Sequence, residues 1–246
     1  MAEPALSFGT AAADYDRYRP PYPADAVAWV AGSAPAGRVA DLGAGTGILT
    51  RGLLELGYAV EPVEPDPDMR AQLAAVTTGT TALAGSAERL PLPDGSVTAV
   101  VAGQAYHWFD HDRAHAEVAR VLRPNGTFGV LWNFRDERVP WVWELSAIVD
   151  AARDGASPAE LDQPPTTFGP HFGPIERAEY AHVVDYTPAQ LIGMIHTRSY
   201  YLTAPSDRRQ EIVQAVRDLL THHHDLAGRD TIELPYRTVC YRARRR

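Results

Sequence analysis

The stretch Val39-Ala-Asp-Leu-Gly-Ala-Gly-Thr-Gly-Ile-Leu-Thr50 constrains this chain more than any other. An apolar run that begins near Arg38 has the length of a short buried strand and stops at Asp41. Glycines follow at alternate positions, Gly43, Gly45 and Gly47, and Ile48 to Leu56 then has helical spacing. Glycine at this spacing lets the backbone turn sharply and leaves no Cβ in the way of a ligand. The unpaired N–H groups of the new helix would face that ligand. Asp41 stands at the mouth, where a carboxylate can accept hydrogen bonds or meet a positive charge.

Spacing separates the kinds of glycine-rich turn. The dinucleotide fingerprint is G-x-G-x-x-G and the phosphate-gripping loop is G-x-x-x-x-G-K-[ST]. Here the pattern is Asp-x-Gly-x-Gly-x-Gly and no lysine follows. A pyrophosphate gains from the dipole at a helix N-terminus, but an aspartate just before it would repel that anion. A ligand carrying an ammonium and a sulfonium would be attracted instead. The stretch resembles the first motif of class I S-adenosylmethionine-dependent methyltransferases, D/E-x-G-x-G-x-G. The resemblance implies S-adenosylmethionine as cofactor, S-adenosylhomocysteine as product, and Asp41, Gly43, Ala44, Gly45 and Gly47 as cofactor-binding residues. A nicotinamide-dependent dehydrogenase and a methyltransferase fold kept only for binding are the competing readings.

The chain has 246 residues, 45% hydrophobic and 22% charged, which suits one large soluble domain with a sizeable core. A formal net charge of −8 argues against a nucleic-acid binder, and Arg242 to Arg246 is the one dense basic run. A single cysteine, Cys240, excludes an internal disulfide framework and a cysteine-rich zinc site. No apolar segment approaches the length of a membrane span, and Met1 to Ala13 lacks the basic start and apolar stretch of a signal peptide. A cytoplasmic enzyme with no membrane partner, acting as a monomer or homodimer, is the expectation. Three neighbouring histidines, His222 to His224, point about 100° apart on a helix and cannot converge on one metal; a solvated helix end and no metal site are expected there.

Beyond the small residues 1–13 comes Asp14-Tyr-Asp-Arg-Tyr-Arg-Pro-Pro-Tyr-Pro23, whose prolines prevent a helix across the stretch and favour an extended path. It resembles the Y-x-x-x-R-P-x-Y-P segment of small-molecule methyltransferases related to trans-aconitate methyltransferase. That resemblance makes a carboxylate acceptor an expectation and places Tyr15, Tyr18 and Arg19 over the cofactor pocket; an arm packing its tyrosines on the core is the alternative. Ala59 to Glu64 reads as the second strand, and Glu64 follows the glycine turn by about twenty residues, where an acid accepts hydrogen bonds from ribose hydroxyls. Pro65 follows it, and Met69, opening the next helix, is placed against the adenine or in the core. Thr80 to Ala84 reads as a brief third strand. In Gly85-Ser-Ala-Glu-Arg-Leu-Pro-Leu-Pro-Asp-Gly95, the family's acidic residue for the adenine amino group is replaced by Ser86. Adenine contact then falls to Ser86 and Ala87, with Glu88 as a substitute carboxylate.

Val97 to Gly103 reads as the fourth strand, and Gln104-Ala-Tyr-His-Trp-Phe109 lies at its carboxyl end, where open α/β sheets bind ligands. Gln104 is therefore a cofactor candidate. His107 is the candidate catalytic residue, by substrate contact or proton acceptance, against the alternative of a structural hydrogen-bonder; Trp108 lines the substrate pocket. Asp110 to Leu122 reads as a helix capped by Asp110, and Thr127 to Trp132 as a fifth strand. Leu122-Arg-Pro-Asn-Gly-Thr-Phe128 resembles the family's L-[KR]-P-G-G-x-[FL] element, with Asn125 at a position that tolerates left-handed backbone.

From Asn133 no motif is recognisable. Val139 to Arg153, Pro188 to Thr197 and Pro205 to Asp225 read as helices, 154–174 as a loop or lid, and Glu176 to Tyr186 and Thr231 to Ala243 as strands. Such an insertion usually carries the acceptor pocket, for which Arg135, Arg198, Tyr200 and Tyr201 are candidates. The expected fold is α/β: a doubly wound, mostly parallel, seven-stranded Rossmann-like sheet with a helical cap insertion. Residues 1–134 form a cofactor-binding core with its N-terminal arm, 135–230 a cap and acceptor region including one core strand, and 231–246 the last core strand, all in one structural domain. The expected activity is methyl transfer to a small-molecule acceptor.

Overall fold

Alternation along β1 (Arg38–Leu42) sends Val39 to one face of a sheet and Ala40 and Leu42 to the other, and all three are fully buried. In the computed structural model, which describes residues 12–32, 37–151, 164–198, 201–202 and 204–246, β1 pairs in parallel with β2 (Ala59–Val63) and with β3 (Val97–Gly103). β3 pairs in parallel with β4 (Leu122–Arg135), and β6 (Ile232–Arg244) runs antiparallel between β4 and β5 (Glu176–Tyr186). The sheet order is β2-β1-β3-β4-β6-β5. The chain moves from β1 outward to β2 and then back across to β3, so strand order reverses between β1 and β3. A crevice opens at the carboxyl ends of such a pair.

Both faces are covered, which explains the near-continuous apolar strands. On one face, helices α2 (Ala24–Ala31) and α3 (Ile48–Glu55) pack Val27, Val30, Leu49 and Leu53 over Val39, Val101 and Leu131. On the other, α5 (His111–Val121) lies with Phe168 and Phe172 over Val100, Phe128 and Val130. Helix α4 (Pro67–Val76) follows β2, and helix α1 (Ala12–Tyr18) precedes the core. A third apolar cluster joins α6 (Pro140–Asp150), α7 (Pro188–His196) and α8 (Ser206–His222) to Ile232, Leu234 and Tyr236 of β6. On α6, Trp141 and Leu145 are buried while Trp143 is 59% exposed, as their spacing around a helix requires. No described helix is long and apolar enough to cross a membrane.

Three expectations change. The sheet has six strands among the described residues, not seven, because the third position shrinks to one parallel bridge, Val63 to Leu83. Leu83 N–H donates to the Pro62 carbonyl (2.8 Å) and Glu64 N–H to the Leu83 carbonyl (3.0 Å). Pro62 faces that edge without an N–H, so the ladder cannot extend back to residue 81, and the Thr80 hydroxyl takes the Val60 carbonyl instead. The N-terminal arm is not extended throughout: α1 ends at Tyr18, just ahead of Pro20. β4 begins earlier than Thr127, at Leu122, because the segment 123–126 stays in the sheet as an irregularity with Asn125 at φ 61°. Of the segment 154–174, residues 154–163 lie outside the described residues.

Candidate active site

The three glycines of the turn have different neighbours. A Cβ on Gly43 would come within 2.7 Å of Ala105, and one on Gly47 within 2.9 Å of Leu73, so both positions are closed by packing. Gly45, at φ 56°, would meet nothing within 4 Å. The turn is therefore braced at its ends and open in its middle. Gly43 and Ala44 N–H groups donate to the Val63 carbonyl (2.9 and 3.2 Å), which fixes the turn to the end of β2.

Asp41 is 1% exposed, and its Oδ2 accepts from the Thr50 hydroxyl at 2.6 Å. Its Oδ1 is buried with no partner. Burial pushes this carboxyl up, the Thr50 hydrogen bond pulls it partly back and the Glu64 charge adds to the rise, bringing it to about 7. Glu64 is also buried; its Oε2 accepts from Gly45 N–H (2.8 Å) and its Oε1 from Asp66 N–H (2.9 Å). Burial raises its pKa against the lowering by those two N–H groups. Arg70 donates to the Glu64 and Pro65 carbonyls, and Met69 is buried at the start of α4.

The adenine-side candidates form a connected set. Glu88 Oε1 accepts from Asp110 N–H at 3.0 Å, and the Ser86 hydroxyl also bonds this carboxylate. Burial would raise Glu88, but these hydrogen bonds outweigh it and the pKa is lowered. Ala87 between them is buried. Gln104 closes β3 in the left-handed region (φ 55°), a strained backbone for a residue with a side chain; its amide donates to the Asn133 carbonyl (3.1 Å). His107 sits in a 3-10 turn with its ring tilted against Trp108 at 4.7 Å. Its Nδ1 is buried without a partner, and burial lowers its pKa to about 4, so it is neutral at pH 7. The turn is held from below by Tyr106, whose hydroxyl meets His115 Nε2 at 3.0 Å and whose ring stacks on His111 at 4.3 Å.

The arm crosses this site. Arg51 Nη2 binds Asp16 of α1 at 2.6 Å while its Nη1 donates to the Thr46 carbonyl of the glycine turn (2.9 Å). The Arg19 guanidinium lies over the Tyr15 ring at 4.5 Å and donates to the Thr197 carbonyl (3.1 Å). Asn133 on β4 donates to the Pro21 carbonyl (3.0 Å) and accepts from the Thr238 hydroxyl (2.6 Å).

A sequence profile of the methyltransferase domain matches residues 40–130. An uncharacterized methyltransferase of Mycobacterium tuberculosis is 46% identical over 243 residues, covering 97% of this chain and 96% of its own. The chain belongs to the methyltransferase family. A solved protein of Anaeromyxobacter dehalogenans, assigned as a type II methyltransferase, shares the fold at a TM-score of 0.65, with 25% identity over 93% of this chain and 98% of that one. A malonyl-[acyl-carrier protein] O-methyltransferase of Methylococcus capsulatus is 34% identical over 140 residues, half of each chain.

Within this methyltransferase fold, Asp41, the glycine turn, Glu64 and the arm residues Tyr15 and Arg19 are brought to one end of the sheet. The candidates in the second half are more scattered. Arg135 closes β4 opposite Tyr236, and Arg198 lies past the end of α7. Tyr201 stacks on His196 (4.6 Å) and lines a groove of about 810 Å³ with Arg209 and Arg217 of α8. Tyr200 lies outside the described residues. His223, expected in solvent, is only 8% exposed in its side chain and approaches Glu144 at 3.8 Å. Three residues escape the sequence reading: Thr50, Asn133 and Tyr22. A Cβ on Gly103 would come within 2.7 Å of the Tyr22 hydroxyl, and burial together with Tyr15 and Asp41 raises the pKa of Tyr22. The Pro-x-Tyr-Pro spacing carried a signal for Tyr22 alone.

Proposed function

We propose that the protein transfers the methyl group of S-adenosylmethionine to a small-molecule acid, releasing S-adenosylhomocysteine. The observation that carries this reading is the unpartnered, buried Asp41 Oδ1 beside an open Gly45. A buried acceptor without a donor is costly, and a cationic ammonium would satisfy it. The same pair of buried carboxylates, Asp41 and Glu64, would repel the pyrophosphate of a nicotinamide dinucleotide, which counts against the dehydrogenase reading.

The residues fit the cofactor in order. Asp41 holds the ammonium end, Gly45 leaves room in the middle of the turn, and Glu64 accepts from sugar hydroxyls with its remaining lone pairs. Met69, Ser86, Ala87 and Glu88 border the base, the last supplying the carboxylate that Ser86 replaces in sequence. Tyr15 and Arg19 cover the site, and Gln104 closes its floor. When bound, the sulfonium supplies a methyl group that is already activated. The protein's task is then to hold donor and acceptor in line and exclude water, an effect worth up to about 7–11 kcal/mol.

His107 enters as an orienting group. A histidine held near pKa 4 is a weak proton acceptor at neutral pH, whereas its neutral ring can hydrogen-bond an acceptor. A carboxylate arrives ionised and needs no base, so a weakly basic His107 suits it better than an alcohol or amine. The O-methylation named for the Methylococcus relative, together with the likeness of residues 14–23 to the trans-aconitate group, supports an acid acceptor. The cluster of α6, α7 and α8, with Arg135 and Tyr201, is the part of the fold that would enclose it.

Calorimetric titration with S-adenosylhomocysteine tests the reading. One-to-one binding at roughly micromolar affinity is expected, weakened at least about ten-fold in Asp41→Ala and Glu64→Ala, the loss of one charge-assisted contact. Heat-silent mixing with the folded wild-type protein, and no displacement of a fluorescent analogue, would overturn it.

A further inference from the structure

The expectation that His222 to His224 cannot converge on one metal rests on all three lying on a single helix. Helix α8 ends at His222, and His223 caps it with extended backbone (φ −70°, ψ 129°). The rotation of about 100° between helical neighbours therefore stops applying to His223 and His224. Their rings stack instead, with centroids 4.5 Å apart and planes 23° from parallel. The chain then closes a turn in which the His223 carbonyl accepts from Leu226 and Ala227 N–H, both at 2.9 Å. Leu226 is buried among apolar side chains of α6 and α8, so the backbone that carries these residues is fixed before any ligand arrives.

In this turn one ligand atom each from His223, His224 and Asp225 lie within 4.8 Å of one another. Asp225 Oδ2 stands 3.5 Å from His224 Nε2 and 3.9 Å from His223 Nδ1. The Asp225 N–H donates to His223 Nδ1 at 3.1 Å, which marks Nδ1 as the nitrogen with the lone pair. The hydrogen of the neutral ring is then on Nε2, the nitrogen that approaches Glu144 Oε1 of α6 at 3.8 Å. Metal sites use this arrangement, a ligating imidazole backed by a carboxylate, to fix the ring and raise its basicity. The His223 side chain is largely buried, whereas His224 and Asp225 reach solvent. The cluster thus has one fixed member and two that can adjust. Zinc–nitrogen bonds of about 2.0–2.1 Å set tetrahedral edges of roughly 3.3 Å. Small rotations of His224 and Asp225 bring the donors to that spacing, and the ion replaces the Asp225 N–H as the partner of Nδ1. The Asp225 and Glu144 carboxylates and the carbonyl end of α8 all favour a cation here.

We propose that His223, His224 and Asp225 bind a divalent ion of the zinc type, with Glu144 positioning His223 from α6. Two imidazoles and a carboxylate suit a borderline transition metal, and not magnesium or calcium, which take oxygen donors. The fourth position faces solvent beside the exposed His224 and is left to water. The ion ties the end of α8 to the turn after it and, through Glu144, to α6. The inference is independent of methyl transfer, because no residue of the glycine turn or the arm takes part.

The test uses the full chain without an affinity tag, stripped of metal by a chelator and titrated with Zn²⁺ in a calorimeter. One ion per chain is expected to bind with a micromolar dissociation constant or tighter, and Mg²⁺ is expected to give no heat. His224→Ala and Asp225→Asn should each weaken Zn²⁺ by about ten-fold or more, and Glu144→Gln by about ten-fold, the usual loss when the carboxylate behind a ligating histidine is removed. The metal-free melting temperature of His224→Ala should match the wild type, because that side chain is exposed. His222→Ala is the control. Its Nδ1 donates to the Asp218 carbonyl one turn back on α8, at 2.9 Å, and its removal should leave Zn²⁺ affinity unchanged. No binding to the wild type, several weakly held ions per chain, unchanged affinity in His224→Ala, or equal losses in His222→Ala and His224→Ala would overturn the proposal. Equal losses would show an adventitious histidine tract rather than a built site.

Discussion

One oxygen of Asp41 is held by Thr50 and the other is buried and empty-handed, so the free protein strains to keep this group charged. Its pKa of about 7 in the fold stands well above an unfolded value of about 3.9. The folded state therefore binds more protons than the unfolded state between those pH values, and the stability this group contributes is lost as pH rises from about 4 to about 7. Ligand binding runs the other way, because an ammonium favours the ionised carboxylate. Affinity for S-adenosylhomocysteine is expected to rise with pH through about 7 and then level off. Asp41→Asn should bind weakly at every pH, and its stability relative to wild type should increase between pH 5 and pH 8. Urea unfolding and calorimetry across that range check both slopes; parallel curves for the two proteins would dismiss the role given to Asp41. At this scale the sequence was informative where partners are close in the chain. Asp41, Gly45 and Glu64 fall within one strand–turn–helix–strand unit and announce themselves by spacing. Asn133 does not, since its hydroxyl partner Thr238 is 105 residues away and its carbonyl partner Pro21 is 112 away.

Among the elements, α1 shows how a local rule can be right and its application too broad. Prolines at 20, 21 and 23 do forbid a helix over themselves, yet the seven residues Ala12–Tyr18 ahead of them are free to form one. The reason they dock is tertiary: Asp16 finds Arg51, which also reaches the Thr46 carbonyl and the Thr77 hydroxyl. One side chain thus joins the arm, the glycine turn and the end of α4. The third strand fails for a similar reason, because Pro62 was visible in sequence but the edge it faces was not. Arg51→Ala is expected to cost about 1–2 kcal/mol, in the range for hydrogen bonds to charged groups with some solvent screening. That corresponds to a melting temperature lower by about 3–6 °C for a chain of this size. Limited trypsin digestion should cut faster after Arg17, where α1 must open, while sites within β1 to β4 stay protected. An unchanged cutting rate would show that α1 is held by its apolar contacts alone.

Across the whole molecule, the strand order β2-β1-β3-β4-β6-β5 gathers the glycine turn, the end of β2 and the exit from β3 at one end, and the arm ties them to α7. The parallel half of the sheet was legible because its strands are buried on both faces and its turns carry glycine at fixed offsets. The helical half was legible only as helices and strands. Its packing partners, such as Leu145 with Val216 and Ile232, come together without any local motif. On the proposed reading, a ligand seated at the switch point would touch the turn, β2 and the arm together, and would stabilise the folded state as a unit rather than one loop. At a concentration about 100 times its dissociation constant, S-adenosylhomocysteine should add about 2.7 kcal/mol. That shifts the melting temperature upward by about 5–10 °C at this chain length. NADH at the same concentration should leave it unmoved, because its pyrophosphate would have to approach the two buried carboxylates Asp41 and Glu64. A thermal-shift comparison of the two ligands decides between the chemistries that a glycine-rich turn can serve: a rise with NADH alone would overturn S-adenosylmethionine as the ligand of this turn, and a rise with S-adenosylhomocysteine alone is the result expected of this charge arrangement.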